Sequence, residues 1–389
     1  MKKIAILGCN EPQIPLIKKA KQMGLSTVVL SQNDTKLTDG IDKFYKVDFQ
    51  NYDKLTEILS LEKINGICSI VSEQAVIPIA IICKKLNLSG ITPRSAHICT
   101  NKILLKRAFS LSSMLTPKYL IADIDEPVSE IDQKCQKIHY PVVLKPKNLC
   151  SSQGILFIKD TDDLIKKYTY LKKYVSSDYL IEKYIDGESF GLEVFVNDGN
   201  VIFILPVGNI SLSCEMIDIP IGHYTPYHEI KKSYYDTINR LIENFIKICD
   251  IRNSFLTIDC RIKENKIYFL EVGLRCGGVL LPQLMSNYYG INVYEYIINQ
   301  CLGNNNINFI LNNNTSNIAA GFLVSPNYKN INSNFITNAD ILEAKLYKRK
   351  VIIDTYIGNF YKLGHIVLKS NDSIPAKDKL SELTQKILH

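Results

Sequence analysis

The sequence lacks the short motifs of several common enzyme classes. No two of its 11 cysteines are spaced as C-x-x-C, which excludes zinc ribbons and thioredoxin-type redox pairs. Its 6 histidines form neither H-x-x-x-H nor H-E-x-x-H, so zinc-dependent hydrolysis is disfavoured. The phosphate-binding pattern G-x-x-x-x-G-K-[ST] is also absent. Any site for phosphates must therefore be built from residues that are scattered along the chain.

The glycine fingerprint of dinucleotide-binding domains is also missing, although the first part of the chain has the alternating strand and helix pattern of such a domain. Strand-like and helix-like segments alternate from residue 1 to about 95, which predicts a parallel, Rossmann-like sheet. The first strand-to-helix turn contains one glycine, Gly8, instead of G-x-G-x-x-G. A pyrophosphate would lack the close backbone approach that it needs there. A nicotinamide-dependent oxidoreductase is therefore an unlikely hypothesis.

Composition limits the class of protein further. A chain of 389 residues is too long for one compact core, so two to three domains are expected. The net charge of +7 suits an anionic ligand, but no basic block indicates a nucleic-acid partner. The longest apolar run, Val201 to Val207, is too short to span a membrane. Widely spaced cysteines and a start without a signal-peptide pattern favour a cytoplasmic protein.

A hairpin that carries two carboxylates is the most informative segment. Apolar strand patterns flank a Lys-Glu-Asn-Lys turn, with Asp259 on the first strand and Glu271 on the second. A three-residue turn would place the two acids opposite each other, and a two-residue turn would make them diagonal neighbours. Two such acids are best tolerated with a divalent cation between them, whereas an ordinary solvated hairpin is the alternative. Arg275 follows Glu271 at an even spacing and could meet an anion.

Other candidates for phosphate and base contacts lie upstream. Lys145 ends a buried strand, and the small-residue loop from Ser151 to Gly154 could hold phosphate oxygens with its backbone N–H groups. Lys102 is a second basic candidate near the start of a helix. Glu182 to Ile185 could read an adenine edge. Each has an ordinary alternative: a β-turn for the loop, a solvated lysine for Lys102, and a strand end for the last segment.

In this order, the features resemble the ATP-grasp superfamily over nearly the whole chain. The segments that carry the resemblance are the N-terminal βαβ series, Thr100-Asn-Lys102, Tyr140-Pro-Val-Val-Leu-Lys-Pro146, Ser151-Ser-Gln-Gly154, Leu180-Ile-Glu-Lys-Tyr-Ile-Asp-Gly187, Asp259 and Glu271-Val-Gly-Leu-Arg-Cys-Gly-Gly278. The chain looks most like the carboxylate–amine ligases that join amino acids. Its layout is also similar to that of biotin carboxylase and carbamoyl-phosphate synthase.

The resemblance implies an α/β protein, α+β in its central part, with the ATP-grasp fold. The expected parts are a Rossmann-like domain over 1–98, an ATP-grasp domain over 99–310 with a small lid lobe at 115–185, and a C-terminal domain over 311–389. The implied activity is ATP-dependent joining of a carboxylate to an amine, with amino acids as substrates, through an acyl-phosphate. A non-catalytic ATP-binding protein of the same fold is the alternative. A homodimer is plausible on the same basis.

The resemblance also implies a role for each candidate residue. Asp259 and Glu271 would hold Mg²⁺ or Mn²⁺, and Arg275 and Lys145 would act in catalysis by steadying the transferred phosphoryl group. The residues expected to bind ATP are Lys102 and Lys145 at the phosphates, Ser151, Ser152, Gln153 and Gly154 in a closing loop, Glu182, Lys183, Tyr184 and Ile185 at adenine, and Glu188 at the ribose.

The sequence departs from the superfamily pattern at two positions. The usual third metal ligand is an Asn two residues after the Glu, and Gly273 stands there. A second Glu often follows Gly-Glu, and Ser189 stands there, which puts the ribose contact in doubt. The segment from Gly208 to His228 is expected to line part of the acceptor region, or else to be a mobile surface loop.

Overall fold

The computed structural model describes residues 1–35, 37, 39–147, 154–174, 178–214, 217–231, 234–304, 316–327, 340–355, 358–371 and 374–388. In the N-terminal part, four short strands form a parallel sheet in the order β3-β2-β1-β4. Its elements are β1 (Lys3–Leu7), α1 (Ile14–Gln22), β2 (Ser26–Ser31), β3 (Lys43–Lys46), α2 (Tyr52–Glu62), β4 (Gly66–Cys68) and α3 (Val76–Leu86). The Rossmann-like topology thus matches the βαβ pattern of the sequence.

Two short helices connect this sheet to the middle of the chain. They are α4 (Pro93–Cys99) and α5 (Lys102–Leu111). The side chain of Thr92 accepts from the Ser95 N–H at the start of α4, and the side chain of Asn101 accepts from the first turn of α5. The cap at Asn101 fixes Lys102 as the first residue of α5, which sets where its side chain can reach.

A small antiparallel sheet follows, with strand order β5-β8-β6-β7 among the described residues. The strands of this sheet and the two helices beside it are β5 (Tyr119–Ala122), α6 (Val128–Ile138), β6 (Val142–Pro146), β7 (Leu156–Ile158), α7 (Thr161–Tyr174) and β8 (Tyr179–Lys183). The two helices pack on this sheet around a separate apolar cluster that includes Ile131, Leu144 and Leu164. This is the lobe in which Lys145 and Glu182 lie on neighbouring strands.

The largest element is an antiparallel sheet of eight described strands, in the order β13-β12-β9-β10-β11-β14-β16-β15. Its elements and the helices between them are β9 (Glu188–Asn197), β10 (Asn200–Cys214), β11 (Ile217–Thr225), α8 (Tyr235–Cys249), β12 (Ser254–Lys263), β13 (Lys266–Gly273), α9 (Leu281–Tyr289), α10 (Val293–Cys301), β14 (Asn317–Ser325), β15 (Ile341–Thr355), β16 (Gly358–Ser370) and α11 (Ala376–Leu388). Most of the segment from Gly208 to His228 therefore consists of paired strands, which argues against a mobile surface loop.

The two faces of this sheet pack against different parts of the molecule. Leu192, Val194 and Val196 of β9 pack with α8, because alternate residues of a strand point to one face. Phe195 points to the opposite face and packs in a cluster that also contains residues of the N-terminal sheet, α9 and α10. We call this second side the inner face. Thr257, Asp259 and Glu193 occupy positions of the inner face.

The expected α/β fold is confirmed. The three C-terminal strands β14, β15 and β16 continue the central sheet instead of forming a sheet of their own, because β14 pairs with β11. The domain boundaries at residues 98 and 310 stay predictions.

Candidate functional site

Asp259 and Glu271 lie directly opposite each other on β12 and β13. The turn between these strands is a tight one, with Glu264 and Asn265 both at positive φ (49° and 60°). Such a turn alone would pair Asp259 with Leu270 and leave Glu271 on the opposite face of the sheet, so the diagonal arrangement expected for a two-residue turn is wrong. A bulge between Asp259 and Cys260 shifts the register by one residue and brings Glu271 opposite Asp259. Neither of the two turn geometries considered for the sequence includes this bulge.

The two carboxylates have different environments. Burial, followed by the charge of Glu271, raises the pKa of Asp259 to about 6. The residue is nevertheless exposed to solvent in this structure. Burial would also raise the pKa of Glu271, but the charges of Lys102 and Lys145 outweigh it and lower that pKa. Glu271 therefore favours the ionised form, whereas Asp259 gains a proton more easily than an ordinary aspartate. A cation beside the two acids would favour the ionised form of both.

Lys102 reaches this pair from α5. Its ammonium group lies 3.0 Å from Oε1 of Glu271, and the residue is buried. The placement follows from the Asn101 cap described above. Lys102 is thus an inward-facing cation beside the proposed metal ligands, and the solvated-lysine alternative does not apply.

Lys145 on β6 and Glu182 on β8 belong to a second cluster of charged side chains. Nζ of Lys145 lies 2.8 Å from Oε2 of Glu182, and Lys106 lies 3.1 Å from Oε1 of the same carboxylate. Burial would raise the pKa of Glu182, but the two lysines outweigh it and lower that pKa to about 2. The contact of Glu182 with an adenine amino group stays a prediction. The carboxylate already serves as the anchor of Lys145.

Lys106 is a residue that sequence reasoning missed. It is 1% exposed, donates to Thr116 Oγ1 at 2.7 Å and to the Leu270 carbonyl at 3.2 Å, and burial lowers its pKa to about 8. It lies one turn after Lys102 on the same helix face, so the i, i+4 spacing of the two lysines was a usable signal.

Arg275 follows β13 of the central sheet and pairs with Glu73, which lies in the short 3-10 turn between β4 and α3. Its Nε lies 2.9 Å from Oε2 of Glu73, and its Nη1 donates to the Cys276 carbonyl at 3.2 Å. Burial raises the pKa of Glu73, an effect that Arg275 opposes and Glu271 strengthens. Sequence reasoning missed Glu73, because a contact across 202 positions leaves no local pattern.

The proposed adenine segment runs from β8 into β9 and is held by Arg261. Nη1 of Arg261 donates to the carbonyls of Gly187 at 2.8 Å and Ile185 at 3.3 Å, and its guanidinium lies 5.2 Å from the ring centre of Tyr184. Nη2 pairs with Asp218 at 2.6 Å. Arg261 therefore fixes the backbone of this segment, a role that no local pattern of the sequence indicates.

Two further residues of this segment, Lys183 and Glu188, lie in different environments. The N–H of Lys183 donates to the Lys118 carbonyl, and its side chain donates to the carbonyls of His139 and Tyr140. Only its carbonyl oxygen is therefore a candidate for a base contact. Glu188 is exposed at the first position of β9, where it could reach a ribose.

Ser189 makes a polar contact inside the protein. The side-chain amide of Asn209 donates to its hydroxyl at 2.8 Å, and Asn209 Oδ1 lies 3.0 Å from Nδ1 of the buried His223. Ser189 also stands at the centre of a G-x-S-x-G pentapeptide from Gly187 to Gly191. This segment enters strand β9 instead of a strand-to-helix turn, so it is not a hydrolase nucleophile elbow.

The phosphate loop lies mostly outside the described residues. Ser151, Ser152 and Gln153 belong to the part about which the structure says nothing. Gly154 is described and has a φ of +68°, a conformation that favours glycine. The phosphate contacts of this loop stay predictions.

Gly273 explains why the usual third metal ligand is missing. A Cβ atom at this position would lie 2.9 Å from the Thr257 methyl group and 3.5 Å from Cζ of Arg275. A longer side chain would crowd both neighbours. The described residues contain no group of three or more His, Cys, Asp or Glu that could hold a metal ion. A cation at Asp259 and Glu271 would therefore complete its shell with water or with a ligand.

Glu193 is a buried acid beneath this site. It is 0% exposed, and its Oε2 accepts from the Gly277 N–H at 3.2 Å. Burial raises its pKa to about 8, although Thr257 and Gly277 oppose the effect. It is therefore protonated at neutral pH. Sequence reasoning missed it, because it sits within an apolar strand pattern.

Comparison with known proteins agrees with this geometry. A sequence profile of the ATP-grasp domain matches residues 138–283, a range that contains Lys145, Glu182, Asp259 and Glu271. This part of the chain is thus similar to the ATP-grasp domain. The resemblance to the ATP-grasp superfamily is thereby confirmed.

Individual relatives extend the comparison beyond this domain. The ATP-grasp enzyme fsqD of Aspergillus fumigatus is 22% identical over 204 residues, but the match spans only 34% of that enzyme's length. A D-alanine–D-alanine ligase of Clostridium perfringens is 22% identical over 68% of this chain and 91% of its own. The crystal structure of an L-amino acid ligase from Bacillus licheniformis shares the fold with a TM-score of 0.80 at 18% identity, over 100% of this chain and 98% of the other.

No helix in the described part of the chain is both long and apolar enough to cross a membrane.

Proposed function

We propose that this protein is an ATP-dependent ligase that joins a carboxylate to an amine, with amino acids as substrates, and releases ADP and phosphate. The observation that carries the proposal is the opposition of Asp259 and Glu271 within reach of two buried lysines and one arginine. The similarity to a D-alanine–D-alanine ligase and to an L-amino acid ligase supports the reaction class and the amino-acid substrates.

The lysines would receive the triphosphate. Lys102 and Lys145 are each held by one carboxylate, so their ammonium groups are in place before a nucleotide binds. Such preorganised cations can neutralise charge that develops during phosphoryl transfer without further rearrangement. Lys106 acts through Glu182 and does not need to touch the nucleotide. The substrate carboxylate would attack the γ-phosphorus in line, and an amine would then displace phosphate from the acyl-phosphate.

Asp259 and Glu271 fit a hard divalent cation. Both offer carboxylate oxygens, the donor type that Mg²⁺ and Mn²⁺ prefer. Burial, followed by the charge of Glu271, raises the pKa of Asp259, and a cation beside the two acids would offset both effects. When bound, such an ion would polarise phosphate oxygens and hold the phosphates in register. Gly273 offers no side-chain ligand at the usual third position, which leaves Asp259 and Glu271 as the proposed protein ligands in the part of the chain that the structure describes.

Arg275 would steady the transferred group. Glu73 fixes its Nε side and the Cys276 carbonyl one Nη1 hydrogen, so the guanidinium is oriented before substrate arrives. A guanidinium in a fixed plane binds phosphate or carboxylate oxygens at low entropic cost.

The test is ADP release by the purified protein with ATP, Mg²⁺ and pairs of amino acids, followed by mass spectrometry of the product. We expect Glu271→Gln and Lys145→Ala each to abolish ADP release. Glu264→Gln in the turn of the same hairpin serves as the matched control and keeps wild-type turnover. Thermal unfolding of all variants shows whether they are folded. Near-normal turnover in Glu271→Gln or Lys145→Ala would contradict the mechanism.

A non-catalytic ATP-binding protein is the second candidate, and Gly273 is the observation that favours it. With only two protein ligands, a metal site can hold a nucleotide without promoting its cleavage. Tight ATP binding by calorimetry without ADP formation in the presence of any amino-acid pair would support this reading. The cytoplasmic location and the homodimer stay predictions.

A further inference from the structure

Val71 has a backbone conformation that its residue type rarely adopts. Its φ is +57°, in the left-handed region, where a β-branched side chain crowds the backbone. Such a conformation persists only where the surrounding structure enforces it, and it is concentrated at functional sites. Val71 lies in the loop that follows β4, two residues before Glu73, the partner of Arg275. The contacts that hold Val71 therefore bear on the orientation of Arg275.

A buried glutamine holds the backbone next to Val71. Gln13 is 4% exposed, and its side-chain amide donates to the Ile70 carbonyl at 2.7 Å, across 57 positions of the chain. The amide oxygen of Gln13 accepts from the Asn10 N–H at 3.0 Å, so the side chain is fixed through both its donor and its acceptor. The Ile70 carbonyl belongs to the peptide unit that joins Ile70 to Val71. The bond from Gln13 therefore restrains the φ rotation of Val71 directly.

The single glycine of the first strand-to-helix turn makes room for Gln13. A Cβ atom at Gly8 would lie 3.1 Å from both Cδ and Oε1 of Gln13, and the φ of Gly8 is +99°. In dinucleotide-binding domains, a pyrophosphate approaches the backbone of this turn. Here a side chain of the protein itself lies against the turn and connects it with the loop after β4. Because β1 and β4 are neighbouring parallel strands, both loops leave the same edge of the sheet.

A second contact joins Val71 to the segment that carries Arg275. A Cβ atom at Gly278, three residues after Arg275, would lie 3.2 Å from Cγ1 of Val71. The side chain of Val71 thus packs against this segment, while its backbone leads to Glu73. Val279 of the same segment is also left-handed, with a φ of +51°. Two strained loops are therefore in contact close to the ion pair of Arg275 with Glu73.

We propose that Gln13 is a positioning residue for Arg275, and that it acts through the left-handed conformation of Val71. The bond to the Ile70 carbonyl keeps Val71 left-handed, and this conformation directs the chain so that the Glu73 carboxylate meets Nε of Arg275 at 2.9 Å. Without the amide, Val71 can return to a negative φ, and the direction of the chain towards Glu73 changes. The inference rests on the proposed ligase function for what Arg275 does, but the series of contacts from Gln13 to Arg275 does not depend on it.

The first experiment follows Arg275 without nucleotide or turnover. In isotope-labelled protein, NMR measures the rate at which the Nε–H of Arg275 exchanges with water, and Arg275→Lys identifies its signal. Gln13→Met keeps the length of the side chain and removes both hydrogen bonds. We expect it to raise the exchange rate at least about tenfold, the change that goes with loss of one charge-assisted hydrogen bond.

Controls separate this effect from unfolding. Gln22→Met, at an exposed glutamine that ends α1, is the matched control and should leave the exchange rate unchanged. Thermal unfolding shows whether each variant is folded, and Gln13→Asn, whose amide is too short to reach both partners, serves the same test if Gln13→Met does not fold. An unchanged exchange rate at Arg275 in the folded variant would overturn the proposal.

The second experiment measures turnover and includes a rescue. With a substrate pair found in the ADP-release screen, Gln13→Met should lower kcat roughly 10- to 100-fold and leave KM for ATP near wild type, since Arg275 is proposed to act on the transferred group. Combining Gln13→Met with Val71→Asn should recover most of the lost kcat, because asparagine adopts a positive φ far more readily than valine.

The outcomes distinguish this inference from the ligase proposal. Lower stability of Gln13→Met with an unchanged kcat would show that Gln13 has only a structural role. Failure of Val71→Asn to restore kcat would show that Gln13 does not act through Val71. Faster exchange at Arg275 in Gln13→Met, together with no ADP release by the wild-type protein with any amino-acid pair, would instead refute the ligase and leave the positioning of Arg275 standing.

Discussion

Glu193 offers a sharp test of the electrostatics beneath the site. Its ordinary pKa is 4.5, and in the folded protein burial raises it to about 8. Below pH 4.5 both the folded and the unfolded chain hold this proton. As pH rises from 4.5 to 8, the unfolded chain loses the proton and the folded chain keeps it, so stability falls. Above pH 8 both are ionised and the loss is complete.

The size of the effect follows from the two pKa values. Each pKa unit corresponds to about 1.36 kcal/mol, so the complete loss is about 5 kcal/mol, of which about 3 kcal/mol falls between pH 5 and pH 8. Glu193→Gln removes the titration and keeps an oxygen that can accept from the Gly277 N–H. The variant should therefore gain about 3 kcal/mol relative to wild type over that range.

Urea unfolding at half-unit pH steps from 5 to 8, in chelator, measures this difference. Both proteins keep the contribution of Asp259, whose pKa is raised to about 6, so that contribution cancels when the two curves are subtracted. Glu188→Gln, an exposed acid on the same strand, is the control and should run parallel to wild type. A difference between Glu193→Gln and wild type that does not change with pH would show that Glu193 is ionised in the folded protein, and would refute the reasoning.

Three further variants test the support of the site. Lys106→Met leaves the buried Glu182 with one cation instead of two, so the free energy of unfolding at pH 7, measured in urea, should fall by about 3 kcal/mol. Wild-type stability would mean that Lys145 alone is enough to neutralise Glu182. Arg261→Gln frees the carbonyls of the adenine segment and should raise KM for ATP about tenfold with little change in kcat; a loss confined to kcat would contradict a positioning role. Gly187→Ala puts a Cβ atom 2.4 Å from the Ile262 carbonyl oxygen, so thermal unfolding should show a loss of about 1–3 kcal/mol. An unchanged midpoint would show that the strand shifts freely.

Much of the fold was predictable because its signals are local. The βαβ series has buried strands separated by helices of ordinary length, and α3 ends at Asn87, a residue type that tolerates the left-handed conformation seen there. The sequence Asn197-Asp-Gly-Asn200 contains the Asp-Gly pair that is typical of two-residue hairpin turns, and it forms such a hairpin, with Asp198 and Gly199 at positive φ. Each of these features is decided by a few consecutive residues.

Other features depend on contacts between distant segments. The pairing of β14 with β11, which joins the C-terminal strands to the central sheet, has no signal in either strand alone. The bulge after Asp259 changes the register of the two acids, and alternation of apolar residues does not reveal where a strand takes an extra residue. The partner of Arg275 was likewise hidden, because Glu73 reads as an ordinary surface charge in the sequence. Glu182 was expected at adenine, and its pairing with Lys145 depends on the neighbouring strands of the small sheet.

The ion pair of Arg275 with Glu73 bears on how the site can act. An arginine that is neutralised by an acid could be thought unavailable to a phosphoryl group. The described contacts engage Nε and one hydrogen of Nη1, whereas a guanidinium has five N–H donors. The end of the guanidinium, formed by Nη1 and Nη2, therefore keeps N–H groups that can donate while Glu73 holds Nε. Glu73 lies in the short 3-10 turn between β4 and α3, whereas Arg275 follows β13 of the central sheet, so this orientation exists only when the two parts are packed together. If Arg275 steadies the transferred group as proposed, the N-terminal part of the chain would contribute to catalysis by fixing the plane of its guanidinium.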